Sequence, residues 1–265
     1  MKRIGITIGD PSGIGPEISL KALSENKAYR DKCIIFGSKS ILEFYRNKLK
    51  ISLPFNYVTN VINCKSDAIN VFNVIDTSLD QIGIGKINPV SGDLAYKYLE
   101  KSISLALANK IGPIVTAPLN KEALHLGGHN FDGHTEIFAT LTNTKKYAMM
   151  LWSKKLSVVH VSTHVALRQA CNLVKKERVM DCISLADTAM RRLGIKTPRI
   201  AVAGLNPHSG ENGLFGSEEQ EEIIPAIQAM NQRNYTVGGP ISPDTVFLRA
   251  VKGEFDVVIA MYHDQ

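Results

Sequence analysis

"RIGITIGDPSGIGPEISLKAL", residues 3–23, joins a β-branched run to a glycine- and proline-rich turn and then to an amphipathic stretch. The run reads as a strand closed at Gly9 and Asp10, and Pro16 suits the first turn of the helix that follows. The same order recurs downstream. "CIIFG" (33–37), "VFNVID" (71–76), "GPIVTAPL" (112–119), "YAMMLW" (147–152), "LSVVHVS" (156–162), "RIAVAGLN" (199–206) and "DVVIAMY" (256–262) read as further strands. Helical spacing appears in residues 15–26, 40–49, 91–110, 175–194 and 217–234. Ser91 and Ser217 are the predicted caps of two of these helices, the second with acidic residues in its first turn. Alternation of this kind predicts an α/β fold whose sheets are mostly parallel and covered on both faces. "LWSKKLSVV" (151–159) breaks the rhythm and predicts an antiparallel hairpin, so the sheets are mixed. Residues 50–75 are Asn-rich and weakly patterned, and are expected to form a peripheral insertion.

Composition narrows the class. A chain of 265 residues with 44% hydrophobic and 21% charged residues suits one large α/β domain or two lobes. No apolar run reaches membrane-spanning length, and no hydrophobic region precedes Gly9 to suggest a signal peptide. Cys33, Cys64, Cys171 and Cys182 are far apart, which suits free thiols in a reducing, cytoplasmic setting. The net charge of +6 would attract an anionic metabolite or reflect a merely basic surface. No basic cluster with interleaved aromatics supports nucleic-acid binding.

Ligands bind at the carboxyl ends of strands in open α/β sheets. Three predicted strands deliver a histidine there: His164 in "VVHVSTH", His208 in "AGLNPH" and His263 in "IAMYH". Three neutral imidazoles with coordination positions left open suit a catalytic divalent ion. Unrelated loop histidines are the alternative. His160, inside its strand, is expected to pack or to face the other way, and His125 and His129 to be solvated loop residues. His134 and Thr135 begin a helical stretch, where they could meet an anion or serve as a plain cap. Lys121, just past another strand end, is a proton-transfer candidate or an ordinary first-turn lysine. The loop "GDPSGIGPE" (9–17) matches neither the phosphate-binding P-loop nor the spacing of the dinucleotide fingerprint.

"TIGDPSGIGPE", "TAPLNKEAL", "GHTEIFA", "VSTHVALR", "AGLNPHSGENGLFGSEE", "GPISPDTVF" and "FDVVIAMYHDQ" together resemble, in order and spacing, the 4-hydroxythreonine-4-phosphate dehydrogenase family of pyridoxal 5′-phosphate biosynthesis. The likeness runs from residue 4 to residue 265. It implies an isocitrate/isopropylmalate dehydrogenase-like fold of two lobes with an interlobe cleft. The first lobe would span residues 1–115 and the second residues 116–265, with the metal site and a homodimer interface in the second. It implies one divalent metal per subunit (zinc, magnesium or cobalt) held by His164, His208 and His263, with ligands drawn from both subunits. His134 and Thr135 would contact a small phosphorylated amino-acid substrate, and Lys121 or Asp244 would be the base. The implied reaction is oxidation of 4-phosphooxy-L-threonine by NAD or NADP to 2-amino-3-oxo-4-phosphooxybutanoate, then decarboxylation to 3-amino-2-oxopropyl phosphate. Members of the family continue beyond "YHDQ", so the chain is expected to lack a segment that completes the first lobe, grips the phosphate and carries the main cofactor loop. No cofactor-binding residue is assigned. Alternatives are a sister dehydrogenase acting on phosphorylated four-carbon sugar acids or dihydrodiols, a metal-dependent phosphoesterase, and an inactive remnant.

Overall fold

The computed structural model describes residues 2–265, which divide into two compact units, one up to Thr144 and one from Lys145. The boundary expected at 115/116 lies too early. The strand at residues 114–116 pairs within the first sheet, and the two short helices after it pack on that unit's longest helix.

The first unit runs β1 (Ile4–Thr7), α1 (Gly15–Glu25), α2 (Lys27–Arg30), β2 (Cys33–Gly37), α3 (Lys39–Lys48), β3 (Phe55–Val58), β4 (Ile69–Asn73), α4 (Pro89–Leu107), β5 (Ile114–Thr116), α5 (Lys121–Leu126) and α6 (His134–Leu141). Its five strands lie in the order β3-β4-β2-β1-β5 and are all parallel. The chain builds outward from β1 on one side, through β2, and returns through α4 to place β5 on the other. The core is a layer of Ile34, Ile35, Phe36, Ile69 and Val71 against Leu20, Leu42 and Tyr98, with Phe36 stacked on Phe72 at 5.3 Å.

Two expectations fail here for local reasons. Residues 50–75 are no mere insertion, because they contain β3 and the whole of β4. Helix α4 is capped by Asn88 rather than Ser91: Asn88 Oδ1 accepts from the Val90 and Ser91 amides at 2.8 and 3.2 Å, and Pro89 opens the helix. Ser91 is buried one turn in, against Ser12. One residue on, Gly92 permits backbone contact with α5, since a Cβ there would lie 1.8 Å from the Ala123 carbonyl oxygen.

The second unit runs β6 (Met150–Trp152), β7 (Ser157–His160), α7 (Leu167–Leu173), α8 (Lys176–Arg192), β8 (Arg199–Ala203), α9 (Ile224–Asn231), β9 (Thr236–Ile241), α10 (Pro243–Val251) and β10 (Val257–Ala260). The strand order is β6-β7-β10-β8-β9. β6 and β7 form the predicted antiparallel hairpin, and the remaining pairs are parallel. β10 is central and buried along its whole length, which explains its unbroken Val-Val-Ile-Ala sequence. Before α9 a wide π-type turn at Glu219–Ile223 precedes Pro225, whose missing N–H disfavours an ordinary helical turn. Ser217 caps nothing through its side chain; only its carbonyl accepts, from the Glu221 amide. All four cysteines are free, and no helix among the described residues is long and apolar enough to cross a membrane.

Candidate functional site

Strands β7, β10 and β8 are parallel neighbours, so their carboxyl ends emerge side by side on one edge of the second sheet. His164, His263 and His208 follow those three ends. His164 and His263 come together, with ring centroids 5.8 Å apart. Both line a cavity of about 450 Å³ with Thr163, Tyr262 and Asp264. His263 Nδ1 lies 2.7 Å from Asp264 Oδ1. A carboxylate in that position holds the proton on Nδ1 and leaves Nε2 as the free electron-pair donor, as around metal-bound imidazoles.

His208 does not join this pair. It lines a neighbouring cavity of about 260 Å³ with Pro207, Ser242, Asp244 and Tyr262, and the Tyr262 ring is the wall common to both cavities. Among the described residues no three His, Cys, Asp or Glu side chains converge on a metal position. The donors of one chain therefore fit a borderline divalent ion as two of its ligands, and a further donor has to be added.

The loop bearing His208 has an unusual backbone. His208, Ser209, Gly210, Glu211 and Asn212 all have positive φ, and each non-glycine residue in that region costs on the order of 1–2 kcal/mol. A buried carboxylate sustains it. Glu219, 1% exposed, accepts from the Leu205 and Asn206 amides through Oε1, both at 2.7 Å, and from Asn206 Nδ2 through Oε2 at 2.8 Å.

His160 packs inside the unit, one of the two placements expected for it. It is buried behind His263, with ring centroids 5.6 Å apart and planes within 18°. Burial, and then the proximity of His263, push its pKa below the ordinary histidine value, opposed by a Met149 carbonyl. His160 Nδ1 has no hydrogen-bond partner among the described residues.

In the first unit, His134 and Thr135 are the first two residues of α6, and Gly133 holds the cap position, so Thr135 is not the cap. Burial lowers the His134 pKa, with the Ala117 backbone and Glu136 opposing, and His134 Nε2 is buried without a partner among the described residues. Lys121 is exposed at the start of α5, whose cap is Asn120. His129 is half-buried, stacked on Tyr96 at 3.8 Å and bonded to Asp93 at 3.0 Å; the solvated-loop expectation fails for it because that aromatic and that carboxylate face the loop. His125 is exposed, as expected.

Residues 29–265 match the family of the pyridoxal phosphate biosynthetic protein PdxA. The chain belongs to the PdxA family. Its family chemistry is that of an NAD(P)-dependent dehydrogenase, in which oxidation is followed by decarboxylation in pyridoxal phosphate biosynthesis. A D-threonate 4-phosphate dehydrogenase of Salmonella typhimurium is 46% identical over 268 residues, covering 100% of this chain and 82% of that protein. A crystal structure of 4-hydroxythreonine-4-phosphate dehydrogenase from Klebsiella pneumoniae superposes with a TM-score of 0.87 at 42% identity, covering 99% of this chain and 80% of that one. A terephthalate 1,2-cis-dihydrodiol dehydrogenase from Burkholderia xenovorans LB400 superposes at 0.71 with 25% identity, covering 99% of this chain and 80% of that one.

The sequence reading of this PdxA-family chain missed Glu219, Asp264 and Tyr262. Glu219 was one of several acidic residues suited to a helix start, and only its inward turn distinguishes it. Asp264 had a usable signal, an acid directly after a candidate ligand. Tyr262 had none.

Proposed function

We propose that the chain catalyses the metal-dependent, NAD(P)-linked oxidation of the C3 hydroxyl of a four-carbon, 4-phosphorylated acid, followed by loss of its carboxyl group as carbon dioxide. The observation that carries this reading is the His164–His263 pair at adjacent strand ends, with Asp264 fixing one ring. His164 and His263 hold the ion, and His208 completes the donor set, with the donors drawn from two copies of the chain. When bound, a divalent ion (zinc, magnesium or cobalt) supplies stabilisation of negative charge on the substrate oxygen, and the nicotinamide accepts the hydride. The chain's own residues do the rest. Asp264 keeps the His263 donor pair aimed outward. The half-buried His134 ring, whose neutral form is favoured by desolvation, binds the acidic substrate with Thr135 at the start of α6. Asp244 is the favoured acceptor of the hydroxyl proton because it shares a cavity with His208, and Lys121 is the second candidate. Once C3 is a ketone, the C1–C2 bond can break, with its electron pair delocalised toward the C3 oxygen and a proton then added at C2. The free thiols suit a cytoplasmic setting.

Two substrates meet this description. One is 4-phosphooxy-L-threonine, giving 2-amino-3-oxo-4-phosphooxybutanoate and then 3-amino-2-oxopropyl phosphate. The other is D-threonate 4-phosphate, favoured by the identity to the Salmonella enzyme, with a hydroxyl in place of the C2 amine. Purified protein is assayed with each substrate and with NAD+ and NADP+, following nicotinamide reduction and carbon dioxide release with and without a chelator. Metal-dependent reduction with one substrate is expected. His208→Ala should abolish it and lower metal retention while leaving circular dichroism unchanged. Phosphate release without nicotinamide reduction would instead make the protein a phosphoesterase.

A further inference from the structure

Helix α6 starts with His134 and Thr135, yet little at its own start fixes it. No side chain caps the helix, and Gly133 holds the cap position. Thr135 is exposed, and His134 Nε2 has no partner among the described residues. Beyond the Ala117 backbone beside His134, the placement of the pair falls to the loop that leads into α6, residues 127–133.

That loop is clamped to α4 through one side chain. Gly127 brings its first residue against the helix backbone, since a Cβ there would lie 2.6 Å from Asp93 N and 2.8 Å from Pro89 O. The His129 ring then lies flat on Tyr96, with centroids 3.8 Å apart and planes within 12°. The Phe131 ring is parallel to the same tyrosine at 5.9 Å. His129 Nε2 is 3.0 Å from Asp93 Oδ1, and Lys97 Nζ donates to Asp93 Oδ2 at 2.6 Å. Burial works against the Asp93 charge, but the Lys97 and His129 bonds outweigh it and hold the carboxyl below the usual carboxylate range. A carboxylate only accepts, so His129 Nε2 carries the proton. One face and one edge of the ring are thus fixed independently. The constraint passes along the loop: Phe131 N donates to His129 O at 3.0 Å, and His125 Nε2 lies 2.9 Å from Phe131 O. Phe131 packs in turn against the cluster of Leu99, Leu124 and Ile137, the last of these on α6.

We infer that His129 is a positioning residue for the substrate, holding the 127–133 loop on α4 so that His134 and Thr135 begin α6 in the binding-competent place. The inference rests on the substrate-binding role proposed above for those two residues. His129 acts through the loop and not by touching the substrate. Freed of the clamp, the loop spreads over other conformers, and the apparent substrate affinity falls with the fraction that stays competent. A stacked ring and a bond to a charged group together set the scale at about tenfold. Turnover of bound substrate is unaffected, because the substrate already selects the competent loop. Metal retention is unaffected as well, because the histidine donors belong to the second unit.

The test is steady-state kinetics with D-threonate 4-phosphate and with 4-phosphooxy-L-threonine, at saturating nicotinamide cofactor and metal. His129→Ala removes both contacts and should raise KM for the accepted substrate about tenfold, with kcat and cobalt retention within about twofold of the parent. His129→Gln sets an amide where Nε2 lies, keeps the Asp93 bond without the ring, and should recover part of the loss. Tyr96→Leu removes the stack from the α4 side and should raise KM in the same sense; it carries the test if His129→Ala does not fold. Amide hydrogen exchange gives a readout independent of turnover: residues 128–136 should exchange faster in His129→Ala, while β1 and β5 keep parent rates. Parent-like KM in His129→Ala and Tyr96→Leu overturns the inference and leaves the dehydrogenase reading intact. Loss of kcat and cobalt retention alongside KM, with faster exchange throughout the first unit, makes His129 a stability residue and overturns it too. A parent protein that oxidises neither substrate overturns both the dehydrogenase reading and this inference.

Discussion

Glu219→Gln isolates what holds the His208 loop. The native carboxylate receives three hydrogen bonds at 2.7–2.8 Å in a position 1% exposed. The amide can keep one oxygen facing the Leu205 and Asn206 amides, but its NH2 then opposes the Asn206 Nδ2 donor, losing one charge-assisted bond and leaving two donors in conflict. Bonds to charged groups contribute about 1.5–3 kcal/mol, and an unsatisfied buried donor costs about 1–3 kcal/mol. Against this, the uncharged side chain is cheaper to bury. A net loss of about 2–3 kcal/mol follows, or on the order of 10 °C in the melting midpoint of a unit this size. The left-handed backbone at residues 208–212 has little else to sustain it, so metal retention should fall together with stability. Thermal melting followed by circular dichroism, paired with cobalt titration, reads both. A variant that melts within about 2 °C of the parent and holds cobalt equally well would show that the carboxylate is not the loop's anchor.

Two further outcomes follow from geometry and charge. Gly92→Ala should cost at least about 2 kcal/mol, because its Cβ would lie 1.8 Å from the Ala123 carbonyl oxygen with backbone on both sides; urea unfolding measures this, and Gly13→Ala, with 3.4 Å of clearance, is the control expected to change little. The folded-state pKa of His134 is depressed by burial, so its contribution to stability is present above the ordinary histidine value of about 6.5 and is lost as pH falls through the folded value. Melting midpoints taken between about pH 8 and about pH 5.5 should decline less in His134→Gln than in the parent, and parallel curves would refute the assignment.

The strands that could be read from sequence are those with continuous apolar surface. "CIIFG" and "DVVIAMY" are unbroken because β2 and β10 are buried on both faces. β3 escaped because it is an edge strand, with Phe55, Asn56 and Tyr57 only partly buried and polar neighbours on either side. β9 escaped because "TVGGPI" contains two glycines and a proline, which in isolation read as a turn; it is also an edge strand, with an irregularity opposite Ala201–Ala203. The three histidines could be read as strand-end residues, and all three lie on one edge of one sheet. Which of them touch could not be read, because that depends on loop conformation. His208 is diverted by a left-handed turn whose anchor lies at the start of the following helical segment. The carboxylate beside His263 and the tyrosine wall are likewise products of how "MYHDQ" curls after β10, where Gln265 Oε1 accepts from the Met261 amide and Gln265 Nε2 donates to Gly204 O.

The strand order of the second unit also governs the order in which it can be assembled. β7 and β8 do not pair with each other; each pairs with β10, which is synthesised only after β8, α9, β9 and α10. A ribosome releasing this chain therefore exposes two half-sheets, the antiparallel β6–β7 and the parallel β8–β9, each with an open edge of unpaired amides and carbonyls awaiting the same strand. The first unit carries no such debt, since every strand it needs within this segment has emerged by β5. Nascent chains paused before Val257 should accordingly hold a formed first sheet and a second unit that is a chaperone client, and the residues that finish the second sheet are the ones leading directly into His263, the proposed metal ligand.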